Sequence, residues 1–70
     1  GYLNKAVFHK LKIDGSFVRE AADNREAVAI IQSIVQLAKS FRMTVTAEGV
    51  ETADDFTRMR DLGVHQIQGY

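Results

Sequence analysis

Two short β-leaning runs bracket a long amphipathic helix, and that order restricts the fold more than anything else in the chain. Ala27, Val28, Ile31, Ile34, Val35, Ala38 and Phe41 recur at helical spacing, while Arg25, Gln32, Gln36 and Lys39 face elsewhere. The periodicity predicts a helix from Asp23 to Phe41. Asp23 and Glu26 are placed for a capping box, and Lys39 and Arg42 for the last turn, where cations suit the helix dipole. Before it, Leu11-Lys12-Ile13-Asp14 alternates apolar and polar as a short strand does, and Gly15-Ser16 breaks that strand. After it, Thr44 to Ala47 reads as a buried strand. A helical crossover between two strands makes them parallel neighbours.

The pattern then repeats. Thr52-Ala53-Asp54-Asp55 opens a second helix, with Thr52 as N-cap and acids in the first turn. Ala53, Phe56, Met59 and Leu62 form its apolar stripe, and Gly63 suits the position just past its end. Val64 to Gln68 reads as a third strand, closed by Gly69-Tyr70. Strand, helix, strand, helix, strand predicts an α/β fold with a parallel sheet. Residues 1–10 show no clear pattern beyond apolar Val7-Phe8 among Lys5, His9 and Lys10. No internal repeat, linker or low-complexity run interrupts the series.

Seventy residues hold one small domain at most, and a chain this short buries a smaller share of its surface than a longer one. It has no cysteine, so no disulfide or thiolate metal site adds stability; a cytoplasmic origin fits. Nine basic and nine acidic residues cancel, leaving no bulk positive field to attract a DNA or RNA polymer. No apolar run approaches the ~20 residues that span a membrane, and no membrane contact is expected from this segment. No signal peptide is visible, and residue 1, which is not Met, is not expected to be a natural start. Aliphatic content argues against disorder.

The chemistry concentrates in Ala47-Glu48-Gly49-Val50-Glu51-Thr52. Two carboxylates flank a glycine-opened turn between a strand and a helix start. In parallel α/β proteins, ligands bind at the carboxyl ends of the strands. Side-chain alternation puts Lys12 and Asp14 on one face of the first strand, Thr44, Thr46 and Glu48 on one face of the second, and Gln66 and Gln68 on one face of the third. Lys12, Asp14, Glu48 and Gln68 are thus expected to converge as a hydrolytic or phosphate-handling group. Plainer roles stand beside this one. Lys12 with Asp14 also reads as a surface ion pair, worth little. Glu51 reads as loop support, and Gln68 as an edge hydrogen-bonding residue. His9 and His65 have no metal-ligand partner at useful spacing and read as ordinary polar positions.

Taken together, these segments resemble the EAL-domain family of cyclic-di-GMP phosphodiesterases. Leu11-Lys12-Ile13-Asp14-Gly15-Ser16-Phe17-Val18 is similar to the family's LKIDxSFV strand and turn, and Ser33-Ile34-Val35-Gln36-Leu37-Ala38 to its SIxxLA helix. Ala47–Thr52 is similar to its AEGVET loop, and Gln68-Gly69-Tyr70 to its QGY strand end. The order and spacing of four motifs over nearly the whole chain carry the resemblance.

The resemblance implies a fragment of a TIM-like (β/α)8 barrel, with residues 1–70 as the C-terminal part of an EAL domain. It implies hydrolysis of cyclic di-GMP to a linear dinucleotide (pGpG) with two Mg²⁺ or Mn²⁺ ions. Glu48 would ligate a metal, and Lys12 would sit beside the metal-bound water. Asp14 and Gln68 would orient water, metal or substrate, and Glu51 would brace the loop. The Glu-Ala-Leu signature, the Asn and Glu ligands of the following strands and the Asp-Asp loop are expected upstream of Gly1. A complete barrel takes about 250 residues. Val7 replaces a usual proline, and His9 and His65 replace usual aspartates.

Three readings follow. One is a piece of a metal-dependent phosphodiesterase, inactive alone because one carboxylate does not hold two metals. Another is a non-catalytic cyclic-di-GMP receptor of the same fold. The third is a structural α/β fragment that packs against another chain, whether the rest of the barrel or a second copy in a homodimer. An open third of a barrel is expected to expose two sheet edges and an apolar inner face.

Overall fold

A computed structural model describes residues 9–69 of the chain. Val7, Phe8 and Tyr70, which figure in the motifs above, lie outside the described residues. The elements are β1 (Lys10–Ile13), α1 (Gly15–Glu20), α2 (Arg25–Ser40), β2 (Thr44–Ala47), α3 (Ala53–Asp61) and β3 (Gln66–Ile67). The strands form one parallel sheet in the order β1-β2-β3. Lys12 stands in register with Thr46, and Thr46 with Gln66. The α/β fold and parallel strands match the expected arrangement.

Gly15-Ser16, which the sequence marks only as a break, opens helix α1. Asp14 takes an extended conformation and accepts a hydrogen bond from the Ser16 amide at 3.0 Å, so it caps a short helix instead of ending the strand in a loop. Val18 anchors α1, fully buried in the core.

Helix α2 begins one residue later than its capping box predicted. Asn24, not Asp23, is the N-cap, and its Oδ1 accepts from the Glu26 amide at 2.8 Å. Asparagine and aspartate cap about equally well, so neighbouring residues compete and geometry decides. Ala27, Ile31, Val35 and Ala38 form the buried stripe as expected. Phe41 does not belong to it. It sits at the C-cap with non-helical dihedrals and is 65% exposed, because helical spacing lapses where the helix does. Arg42 lies past the end, in the left-handed region at φ 56°.

Thr52 caps α3 as predicted, its side chain accepting from the Asp55 amide at 3.0 Å. Gly63 follows the C-cap at φ 93°. Strand β3 is shorter than its predicted Val64–Gln68 span. The ladder nevertheless extends past it, with the His65 amide donating to the Val45 carbonyl and the Gln68 amide to the Ala47 carbonyl. His65 adds its ring: Nδ1 accepts from the Val45 amide at 2.9 Å. The imidazole thereby completes a backbone pairing at the start of a short strand.

The helices cover one face of the sheet. Ile13, Val45 and Ala47 join Ile31, Met59 and Val50 in the core, with Leu11 and Ile67 packed at its margin. The alternate residues Lys10, Lys12, Thr44, Thr46 and Gln66 occupy the other face. Alternation predicts these polar residues on a shared face, as found, whereas the apolar inner face predicted for an open third of a barrel is absent among the described residues. The strands alternate strictly, and their apolar set is already spent against the helices.

Candidate functional site

All three strands point their carboxyl ends to the same rim. Asp14 follows β1, Glu48 follows β2 and Gln68 follows β3. The turns are locked together by main chain. The Glu48 amide donates to the Ile13 carbonyl at 2.9 Å, and the Val50 amide to the Gln68 carbonyl at 3.0 Å. Glycines permit this closeness. A Cβ on Gly49, at φ 67°, would stand 3.1 Å from the Gly15 Cα, and one on Gly69 would meet the Val50 nitrogen at 2.9 Å. The Glu48 turn is therefore wedged between its two neighbours.

Lys12 and Glu48 come together at this rim, with Nζ 3.4 Å from Oε2. Both remain open to solvent, Lys12 more so. One row away on the same face, the Thr46 hydroxyl donates to Gln66 Oε1 at 3.0 Å. The expected convergence of Lys12 and Glu48 holds, and the partner of Lys12 is Glu48 instead of Asp14. Gln68 stands exposed at the end of the third strand, fixed through its backbone.

Asp14 departs from its expected orientation. It is the N-cap of α1, and capping overrides the strand's alternation. Its carboxylate instead takes the hydroxyl and the amide of Ser16. Those two bonds, the hydroxyl first, hold the carboxyl below its ordinary range, and the nearby Arg19 charge adds to the effect. Asp14 supports the rim by starting α1.

Glu51 pairs with Arg19, whose Nη1 lies 3.6 Å from Oε1. The same guanidinium nitrogen lies 3.5 Å from the Gly49 carbonyl. Sequence reasoning missed Arg19, because its contacts are 30 residues away and no spacing rule announces them. Asp55 is the buried carboxylate, paired with Arg58 at 2.7 Å inside α3, and serves the helix, not the rim.

Among the described residues, no cluster of three or more His, Cys, Asp or Glu could enclose a metal ion. Glu48 fits one place in a divalent shell. It is a hard oxygen donor, solvent-accessible, on a turn fixed from both sides.

The EAL domain family model matches residues 1–70. The chain belongs to the EAL domain family. A curated relative, the cyclic di-GMP phosphodiesterase PA2567 of Pseudomonas aeruginosa, is 36% identical over 69 residues; these are 99% of this chain and 12% of the relative. Among solved structures, the PaMucR phosphodiesterase in complex with c-di-GMP superposes with a TM-score of 0.80 at 35% identity, over 97% of this chain and 28% of that one. The Klebsiella pneumoniae BlrP1 manganese/cyclic-di-GMP complex gives 0.81 at 33% identity, over 87% of this chain and 16% of that one. The chain thus spans under a third of each of these proteins, and its α/β layer is a fragment of a TIM-like barrel.

Proposed function

We propose that this EAL segment is the C-terminal wall of a divalent-metal phosphodiesterase site that hydrolyses cyclic di-GMP to linear pGpG. The Lys12–Glu48 pair at the rim of the parallel strands carries the reading, supported by cyclic-di-GMP phosphodiesterases among the relatives. Glu48 supplies a carboxylate oxygen to one Mg²⁺ or Mn²⁺ ion, the remaining ligands coming from the rest of the barrel. A bound divalent pair acidifies water and stabilises entering and leaving oxygens. Lys12 offers three N–H donors and no acceptor, so it holds the attacking water's oxygen and offsets phosphodiester charge. Gln68, able both to donate and to accept, orients substrate or water at the next strand end. Asp14 and Glu51 touch neither; they hold α1 and the β2–α3 turn in place.

The test is steady-state hydrolysis of cyclic di-GMP with Mg²⁺ or Mn²⁺ by the full-length protein that contains these residues. Glu48→Gln and Lys12→Ala should each lower kcat by at least about 100-fold, the scale on which precisely placed groups act. Near-normal rates in either variant would reject the assigned role. Tight binding of cyclic di-GMP without turnover by the unaltered protein would favour the receptor reading. The seventy residues alone should show no turnover, and measurable hydrolysis by them would overturn the single-wall view.

A further inference from the structure

We propose that Arg19 is a positioning residue for Glu48, a role that rests on the phosphodiesterase reading and deepens it. The Glu48 turn has a soft point. Gly49 adopts φ 67°, and glycine leaves the backbone more freedom than any other residue. Main-chain bonds hold the turn on either side of Gly49, from the Glu48 amide to the Ile13 carbonyl and from the Val50 amide to the Gln68 carbonyl. Arg19 spans the segment after Glu48: one guanidinium nitrogen reaches both the Gly49 carbonyl at 3.5 Å and the Glu51 carboxylate at 3.6 Å. Those two acceptors flank Val50, whose fully buried side chain pins the middle of the turn.

Arg19 comes from α1, and α1 starts on Asp14, two residues after Lys12. The strap therefore joins the element that follows Lys12 to the turn that carries Glu48. Gly15 leaves room for it: a Cβ there would lie 3.1 Å from the Glu48 carbonyl oxygen and 3.3 Å from Arg19 Nη1. A planar guanidinium suits this bridging, and a lysine ammonium, a point charge on a flexible stem, reaches one acceptor at a time. Arg19 and Glu51 are both well exposed, so their pairing contributes little to global stability. Its loss should show in placement, not in unfolding.

The experiment uses the full-length protein with Arg19→Gln, Arg19→Lys, Glu51→Gln and the Arg19→Gln/Glu51→Gln double variant. Three quantities are read: kcat and KM for cyclic di-GMP, Mn²⁺ affinity by electron paramagnetic resonance without substrate, and hydrogen exchange of the Val50 amide. Arg19→Gln should lower kcat and Mn²⁺ affinity by about 10-fold or more, the range for residues that orient a metal ligand. KM should move less than kcat, Val50 exchange should accelerate, and the melting temperature should stay near that of the unaltered protein. Arg19→Lys should recover part of the loss. The double variant should be no worse than Arg19→Gln, because both changes cut the same strap. Unchanged Val50 exchange in Arg19→Gln overturns the proposal, as does unchanged Mn²⁺ affinity wherever the unaltered protein binds the ion. If the unaltered protein turns over no cyclic di-GMP, the phosphodiesterase reading fails, while Val50 exchange still decides the role of Arg19.

Discussion

Asp14 combines two properties that a pH titration can probe. It caps α1, and its two bonds from Ser16 exist in full only for the ionised form. The folded state therefore holds its carboxyl below the ordinary value, and the unfolded chain does not. The sign follows. The stabilisation is complete above the unfolded value of about 3.9 and is lost as pH falls through the lower folded value. Asparagine keeps a capping oxygen but cannot titrate. Asp14→Asn should therefore flatten the acid limb of thermal stability below about pH 4 relative to the unaltered protein. Melts over a pH series check this, and superimposable acid limbs would show that the Ser16 bonds do not act on the charge. Single positions also show what a sequence can disclose. Lys12 and Glu48 were legible because each lies on or just past a regular strand, where alternation and register fix direction. The direction of Asp14 was not, since it caps α1 and its carboxylate turns to the Ser16 amide and hydroxyl. Arg19 was invisible because its meaning depends on a turn 30 residues away.

Elements were legible in proportion to their length. Helix α2, with 16 residues, shows its apolar stripe several times over, and Ala27, Ile31, Val35 and Ala38 are buried as the period requires. Helix α1, with six, is too short for a period to emerge, and its start depends on a cap that also reads as a turn. The start of α2 exposes the same limit, since Asp23 and Asn24 are both good caps and the capping-box spacing to Glu26 favours the one that does not cap. The structure separates them by contact. Asn24 Oδ1 faces the Glu26 amide at 2.8 Å and the Ala27 amide at 3.4 Å. Asn24→Ala should cost about 1 kcal/mol, the usual value of an N-cap, and Asp23→Ala no more than a few tenths. Urea denaturation of both variants checks the ranking. Equal losses, or a larger one at Asp23, would restore the capping box.

At the scale of the whole molecule, the described helices all pack on one side of the sheet. Parallel sheets are otherwise found with both faces buried. Here the opposite face carries Lys10, Lys12, Thr44, Thr46 and Gln66; Lys10, Lys12 and Gln66 are exposed and Thr46 is buried with its hydroxyl bonded to Gln66, so that face presents no apolar surface to hide. The backbone is the larger problem. Among the described residues, β1 and β3 each present an edge without a strand beyond it, and open edges template pairing with another chain. Ile30, Leu37 and Phe41 add exposed apolar surface along and just past α2. In a closed barrel the edges vanish, because the neighbouring strands take up the free amides and carbonyls. The seventy residues alone should therefore associate. On size exclusion they should elute ahead of a monomer, by an amount that grows with loading concentration. Their melting temperature should rise with concentration, as mass action requires when only the associated form is stable. A monomer that melts cooperatively at a temperature independent of concentration would show instead that one covered face and twelve buried apolar residues suffice for a stable fold.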